Sequence, residues 1–104
     1  MSPIASGELK ERTLCLTVHT PRLDSASSRD FKKACDEHWR PDVERLTIDL
    51  RVVEFLDSSG VGALLSVYKK LTADKPSVKL LHVQPPVQTV IELLRLHRIF
   101  TIVT

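Results

Sequence analysis

The order of apolar segments predicts an α/β fold in which strands alternate with helices. Two apolar runs of strand length, at residues 46–53 and 78–83, are each followed by a segment whose apolar residues recur at helical spacing. Turn-forming residues and prolines separate these segments. Elements that alternate at this spacing form a mostly parallel sheet with right-handed crossovers. We therefore expect a single domain, residues 1–104, with a mixed, mostly parallel β-sheet and helices packed against it.

The chain is expected to begin its sheet with one strand, residues 9–20, because apolar and polar residues alternate there. Pro21 ends this strand, since proline cannot donate to a central ladder. The residues expected on its inner face are Leu14, Leu16 and Val18.

A first helix is expected after the turn-forming residues 24–28. Ser27 or Ser28 can cap it, and it runs to about Trp39 because Pro41 cannot continue a helix. The residues expected on its inward face are Phe31, Cys35 and Trp39.

The second half of the chain continues the alternation. Strand 46–53 precedes a helix over 59–73, which Asp74-Lys75-Pro76 breaks. Strand 78–83 leads to Pro85-Pro86, which suit the first turn of a helix. A short strand at 101–103 completes the sheet. The expected apolar stripe of the last helix is Val87, Val90, Ile91, Leu94 and Leu96 or Ile99.

The segment between strand 46–53 and the second helix carries the most informative residues. It reads Asp57-Ser58-Ser59-Gly60, so it places one carboxylate and two hydroxyls at a helix N-terminus. That end of a helix presents unpaired N–H groups and partial positive charge, which favour an anion such as a phosphate. The arrangement suggests a phosphorylation switch on Ser58.

The same residues also suit an ordinary helix cap, because Asp and Ser are common N-cap residues and Gly fits a tight turn. A cap does not require Gly60 and Gly62, however, and each costs roughly 1 kcal/mol relative to Ala in the first helical turn. Glycines help where another backbone or a nucleotide-bearing partner must approach closely. A structural cap and a site of modification therefore both remain compatible with the pattern.

Residues 55–62, Phe-Leu-Asp-Ser-Ser-Gly-Val-Gly, with the following Tyr68-Lys69-Lys70, resemble the core motif of STAS domains. The similarity is greatest to bacterial anti-sigma factor antagonists that are phosphorylated on serine. The other matching segments are the strand 13–18, the acidic turn 23–24, the strand and helix start 78–87, and the last helix and strand 93–102.

The resemblance implies a function in partner switching. Ser58, directly after the aspartate, corresponds to the phosphoacceptor of the family. The unmodified form is expected to bind an ATP-binding serine kinase of the anti-sigma type and release its client, and phosphorylation is expected to block binding. A PP2C-type phosphatase would reverse the modification. The expected partner-binding residues are Asp24, Asp57, Ser58, Ser59, Gly60, Val61 and Gly62.

Each residue of the motif has an expected role. Asp57 orients the loop or caps the helix, and Ser59 provides a structural cap. Gly60 and Gly62 have no side chains, so they let the partner approach the start of the helix closely. The chain departs from the family where Pro21-Arg22 replace a glycine and an acidic residue, and where His97-Arg98 replace a Gly-Leu/Ile turn. We also expect a minimal domain, without the further C-terminal helix of some members.

Composition excludes several other classes of function. A net charge of +2, with dispersed basic residues and no interleaved aromatic residues, does not favour nucleic acid. No run approaches the ~18 apolar residues that a membrane span needs. The first seven residues do not form a signal peptide. A cytoplasmic protein, monomeric or weakly dimeric, is therefore expected.

Enzymatic chemistry is not indicated, and we expect no catalytic residue, cofactor or metal. The four histidines lack metal-ligand spacing, and neither a Gly-x-Ser-x-Gly elbow nor a phosphate-binding loop is present. His82 either faces the Ser58 loop or is a solvated strand-end residue. Cys15 and Cys35 are expected to be buried thiols that act as small hydrophobic residues.

Two alternatives to the switch remain open. The chain also resembles a scaffolding STAS domain that assembles with copies of itself, and apparent mass in solution separates this second hypothesis from a switch. It also resembles a STAS domain that binds a small ligand, such as a nucleotide or lipid, at the same loop. Ligand-dependent melting without any kinase distinguishes that case.

Overall fold

The computed structural model describes residues 4–71 and 76–104. Within them lie seven β-strands, three α-helices and one short 3-10 helix, Leu96–Arg98. The strands are β1 (Ala5–Lys10), β2 (Thr13–Val18), β3 (Arg22–Leu23), β4 (Arg45–Asp49), β5 (Phe55–Leu56), β6 (Ser77–Leu81) and β7 (Phe100–Val103). The helices are α1 (Ser28–His38), α2 (Ser58–Tyr68) and α3 (Pro85–Leu93).

The main sheet has five strands in the order β1-β2-β4-β6-β7. The β1–β2 pair is antiparallel, whereas β2, β4, β6 and β7 run parallel to one another. A second, two-stranded sheet pairs β3 with β5 in parallel. The predicted α/β fold with a mixed, mostly parallel sheet is therefore confirmed.

One face of the main sheet is covered by the helices. Leu16, Ile48 and Leu80 are in register on neighbouring strands, and all three are buried. The residues that alternate with them, Cys15, Thr47 and Lys79, are half-buried or exposed. Successive side chains of a strand point to opposite faces, so the uncovered face faces solvent. The prediction that Cys15 is buried is therefore wrong, while Cys35 on α1 is buried as predicted.

The start of the chain differs from the single strand predicted over residues 9–20. The structure has two antiparallel strands, β1 and β2, joined at a turn where Glu11 has φ 57°. No glycine or asparagine marks that left-handed turn, so the turn could not be predicted from the residues at this point. The predicted inner face of β2 is confirmed, because Leu14, Leu16 and Val18 are all buried.

Strand β4 ends at Asp49, four residues before the predicted end at residue 53. The Asp49 carboxylate accepts a hydrogen bond from the Arg51 backbone N–H at 2.9 Å, and the Val53 N–H donates to the Leu50 carbonyl at 3.0 Å. These bonds turn the chain. Leu50 and Val53 are nevertheless buried, which explains why the apolar run is longer than the strand.

The second and third helices begin near their predicted starts. Helix α2 runs from Ser58 to Tyr68, whereas the sequence predicted residues 59–73. The predicted end at 72–73, and Asp74 and Lys75 of the predicted break, lie outside the described residues. Strand β6 ends at Leu81 and not at residue 83, because His82 adopts φ 55°. Pro85 and Pro86 occupy the first turn of α3, as predicted.

The predicted inner faces of α1 and α3 are largely confirmed. Phe31 and Cys35 are buried on α1, and Val87 and Ile91 are buried on α3; Trp39, Val90, Leu96 and Ile99 pack partly buried against the core. The prediction that Leu94 faces the core is wrong, since this residue is 52% exposed. Helix α3 has already ended at Leu93, and the chain turns at Arg95, where φ is 58°.

Candidate functional site

The short β3–β5 sheet brings the two predicted acidic residues together. Arg22 is in register with Phe55 and Leu23 with Leu56, and the Asp57 N–H donates to the Leu23 carbonyl at 3.5 Å. Asp24 and Asp57 are the next residues along these two parallel strands. Two strands of two residues each are too short to show a periodic pattern, so sequence reasoning missed the pair that positions the site.

Each acid organises the start of one helical segment. One carboxylate oxygen of Asp57 accepts hydrogen bonds from the backbone N–H groups of Ser59 (2.9 Å) and Gly60 (3.0 Å). One carboxylate oxygen of Asp24 likewise accepts from the N–H groups of Ala26 (3.0 Å) and Ser27 (3.3 Å). Asp57 is therefore the N-cap of α2, as predicted, and the predicted capping role of Ser59 is wrong.

The serine ahead of α1 also differs from its predicted role. Ser27 occupies the N-cap position, but its side chain makes no capping hydrogen bond. Its hydroxyl instead donates to the Arg22 carbonyl at 2.7 Å and accepts from the Asp24 N–H at 3.0 Å. Ser27 therefore fixes the turn that presents Asp24 beside Asp57.

Ser58 is the first residue of α2 and is exposed. In the part of the chain that the structure describes, its hydroxyl makes no hydrogen bond to a protein group, whereas Ser66 on the same helix donates to the Gly62 carbonyl at 2.9 Å. The Ser58 hydroxyl is thus accessible at a helix N-terminus, where N–H groups and the helix dipole favour negative charge. This matches the position that the sequence predicted.

The two glycines of the motif have different surroundings. A Cβ at Gly60 would overlap the Leu23 carbonyl oxygen and would lie 2.7 Å from Leu56 Cδ1. A Cβ at Gly62 would meet no atom within 4 Å. Gly60 is buried and serves the close approach of α2 to β3, while Gly62 is exposed. The prediction that both glycines admit a partner therefore fits Gly62 only, and Val61 is buried beside Gly60.

Arg22 is a part of the site that the sequence singled out only as a departure from the family pattern. Its Nε lies 3.3 Å from an Asp24 carboxylate oxygen, and its guanidinium carbon lies 4.0 Å from the centre of the Phe55 ring. Burial raises the pKa of Asp24. Hydrogen bonds from Arg22 and from the Ala26 and Ser27 N–H groups outweigh it, so this pKa is below its ordinary value of 3.8.

The exposed face of α2 continues from Ser58 through Gly62 and Ser66 to Lys69 beyond the helix end. A groove of about 140 Å³ lies beside it, between α1 and α2. Lys70 was predicted to be solvated with Lys69, but it is half-buried and spans the groove. The residues that line this groove are Lys32, Asp36, Ser66, Val67 and Lys70.

Two contacts hold Lys70 in place. Its ammonium group lies 2.5 Å from an Asp36 carboxylate oxygen and 5.3 Å from the centre of the Trp39 ring.

His82 lies exposed at the end of β6, which agrees with the solvated strand-end interpretation. Within residues 4–71 and 76–104, no three His, Cys, Asp or Glu side chains are grouped so as to hold a metal ion. None of the helices in the described ranges has the length and hydropathy needed to cross a membrane.

A comparison with protein-family models matches residues 7–104 to the STAS domain. The chain belongs to the STAS domain family. The match covers every element from β2 onward together with the site formed by β3, β5 and α2. The family assignment that the motif suggested is therefore confirmed.

Solved structures of STAS-type proteins share this fold. An anti-sigma factor antagonist (STAS) domain protein from Planctomyces limnophilus is 15% identical, with TM-score 0.85 over 96% of this chain and 88% of that one. An anti-sigma factor antagonist from Mycobacterium paratuberculosis is 24% identical, with TM-score 0.78 over 95% and 83%. The Bacillus cell fate determinant SpoIIAA in its phosphorylated form is 20% identical, with TM-score 0.70 over 96% and 91%. At these identities the similarity is one of fold.

Proposed function

We propose that this STAS domain is a partner-switching regulator of the anti-sigma factor antagonist type. In its unmodified form it docks onto a serine kinase of the ATP-binding anti-sigma type, which then releases its client. The kinase phosphorylates Ser58, docking is lost, and a PP2C-type phosphatase restores the unmodified form. The chain is thus a substrate and a ligand of enzymes, acting in the bacterial cytoplasm as a monomer or weak dimer.

The observation that carries the proposal is the setting of Ser58. Its exposed hydroxyl is at the first position of α2, directly after Asp57, which caps the helix, and Asp24 follows the strand β3 that pairs with β5. A kinase can reach such a hydroxyl without unfolding the helix. Gly62, one turn further on the same exposed face, leaves room for the partner. A phosphorylated structure among the solved relatives agrees with this chemistry.

The electrostatics of the site give the switch its direction. A phosphate adds about −1.5 to −2 charge, and the N-terminus of α2 offsets part of it within the protein. In a docked complex the same charge and bulk occupy a surface that must pack closely. Asp57 adds like charge beside it. We therefore expect docking to be lost while the free protein stays folded, and a loss of about 3–4 kcal/mol weakens binding several-hundred-fold.

Phosphotransfer assays test the proposal directly. The serine kinases of anti-sigma type encoded in the same genome would each be incubated with the protein and Mg-ATP. Mass spectrometry should find one added phosphate on Ser58 with at least one of them. Ser58→Ala should bind that kinase and resist modification, and Ser58→Asp should not bind.

Ser59→Ala is the matched control, because it removes the adjacent hydroxyl and keeps the Asp57 cap, which uses the Ser59 main chain. It should be phosphorylated like the wild type. Phosphate on Ser59 alone, or equal kinase affinity of Ser58→Asp and Ser58→Ala, would contradict the proposed mechanism.

A further inference from the structure

Arg22 is held in a fixed orientation by two contacts on different sides of its guanidinium group. The guanidinium carbon lies over the Phe55 ring, 4.0 Å from its centre, and Nε is 3.3 Å from an Asp24 carboxylate oxygen. Arg22 and Phe55 are in register within the β3–β5 pair, and Asp24 directly follows β3. A stacked and hydrogen-bonded guanidinium has lost part of its rotamer freedom already, so it binds a further anion at a lower entropic cost.

The terminal nitrogens of Arg22 are not used by these contacts. Within the described residues, neither Nη atom has a hydrogen-bond partner, and the side chain is 59% exposed. An arginine in this state presents two parallel N–H donors, which match two oxygens of a phosphate. Phe55, at 38% exposure, leaves the same surface open to solvent.

The guanidinium already reaches the level of the phosphoacceptor loop. It contacts Asp24, which follows Leu23, and Leu23 is in register with Leu56, the residue before Asp57. Ser58 is the next residue after Asp57. Because strands rise about 3.3 Å per residue, Ser58 lies about one residue step beyond the level of Asp24, whose carboxylate Arg22 already contacts.

We propose that Arg22 is the anion-binding residue for a phosphate on Ser58, and that it holds this phosphate against the protein in the modified state. The inference rests on the proposed function for the origin of the phosphate. It gives the departure at Arg22 a role: the arginine pairs with Asp24 through Nε in the unmodified form and keeps this contact while its Nη groups bind the phosphate after modification. A carboxylate of the docking partner is the competing use of the same donors.

The test places the phosphate without a kinase, by translational incorporation of phosphoserine at position 58. Phosphorus NMR then follows the second ionisation of the phosphate, ordinarily near pKa 6, in the wild type and in Arg22→Gln. A cation in contact with the dianion favours it, so the phosphate pKa should be about one unit lower with Arg22 than without it. Asp24→Asn, which removes a competing anion, should lower this pKa further.

Arg12→Gln is the matched control, because Arg12 is an exposed arginine that pairs with Glu44 in another part of the chain. It should titrate like the wild type. The difference caused by Arg22 should be largest at low ionic strength and smaller in about 0.5 M NaCl, because salt screens exposed charge pairs. Equal phosphate pKa values in Arg22→Gln and Arg12→Gln at low ionic strength would overturn the proposal.

The two proposals fail in different ways. If no anti-sigma kinase modifies Ser58 but the phosphate pKa depends on Arg22, the proposed function is wrong and the anion site is real. If such a kinase phosphorylates Ser58 but the phosphate pKa does not depend on Arg22, the proposed function stands and the proposal for Arg22 is wrong. A carboxylate of the docking partner is then the anion left for the Arg22 donors.

Discussion

Gly60 lies directly against the main-chain carbonyl of Leu23, so that the second residue after Ser58 fixes the distance between α2 and β3. This contact holds the loop that carries Ser58 next to Asp24. It also explains why the motif carries a glycine at a place where helix propensity disfavours one. Gly60 therefore belongs to both the site and the fold. We expect its substitution to lower the stability of the fold before it changes partner binding.

Gly60→Ala should destabilise the protein. The added Cβ would overlap the Leu23 carbonyl and come within 2.7 Å of Leu56 Cδ1, and a carbonyl of the main chain cannot move aside as a side chain can. We expect a loss of about 2–3 kcal/mol in the free energy of unfolding, measured by urea denaturation. Gly62→Ala is the matched control and should be neutral or stabilising by up to about 1 kcal/mol. Equal stability of the two variants would refute this account of Gly60.

Asp57→Ala should lower stability through loss of the α2 cap. The carboxylate accepts two backbone N–H groups, and N-cap replacements by alanine cost about 0.5–2 kcal/mol. Asp57→Asn should retain most of the stability, because asparagine caps as well as aspartate does. The measurement is again denaturant unfolding. If the asparagine variant lost as much stability as the alanine variant, the charge of Asp57 and not its cap would be what matters.

Asp24 should make stability depend on pH. Its pKa in the folded protein lies below 3.8, because hydrogen bonds, first from Arg22, outweigh the effect of burial. A lowered folded pKa contributes stability that is fully present above the unfolded pKa and is lost as the pH falls through the folded one. The melting temperature of the wild type should therefore exceed that of Asp24→Asn most at neutral pH, and the difference should shrink below about pH 4.

Asp42→Asn controls for the loss of one exposed carboxylate in the Asp24 experiment, because the described part of the chain gives Asp42 no ion pair. Its melting temperature should differ less from the wild type at neutral pH. If the difference in melting temperature between the wild type and Asp24→Asn grew on acidification, it would have the opposite sign to the one expected from a lowered Asp24 pKa.

The two thiols should differ in reactivity. Cys35 is fully buried, and burial raises its pKa to about 12, so almost none of it is thiolate at pH 8. Cys15 lies half-buried on the uncovered face of the sheet. Iodoacetamide should therefore modify Cys15 in the native protein and both cysteines in urea, as read by peptide mass spectrometry. Faster native labelling of Cys35 would show that α1 opens more readily than its packing indicates.

Gly62→Val should weaken docking without unfolding the protein. Gly62 is exposed one turn after Ser58, and valine adds bulk where a partner must approach while improving helix propensity. Calorimetric titration with the kinase that modifies Ser58 should show lower affinity than for Gly62→Ala, with unchanged circular dichroism. Unchanged affinity in both variants would remove this face of α2 from the docking surface.

The sequence alone was sufficient for the fold class, the family and the position of Ser58. Each depends on local information: the spacing of apolar residues along strands and helices, the prolines of α3, and the Asp-Ser-Ser-Gly motif at the start of α2. It was less reliable at element ends. The β1–β2 turn at Glu11 and the early end of β4 carry no marker residue, and the buried Leu50 and Val53 extend an apolar pattern beyond its strand.

Only the tertiary structure decided what the site residues do. Gly60 and Gly62 are alike in sequence context, but one faces the Leu23 carbonyl and the other faces solvent. In the sequence, Arg22 is only a departure from the family pattern. The pairing of β3 with β5 places its guanidinium over Phe55 and beside Asp24. These distinctions depend on contacts between segments about thirty residues apart in sequence, and a strand of two residues contains no periodicity from which such a pairing can be inferred.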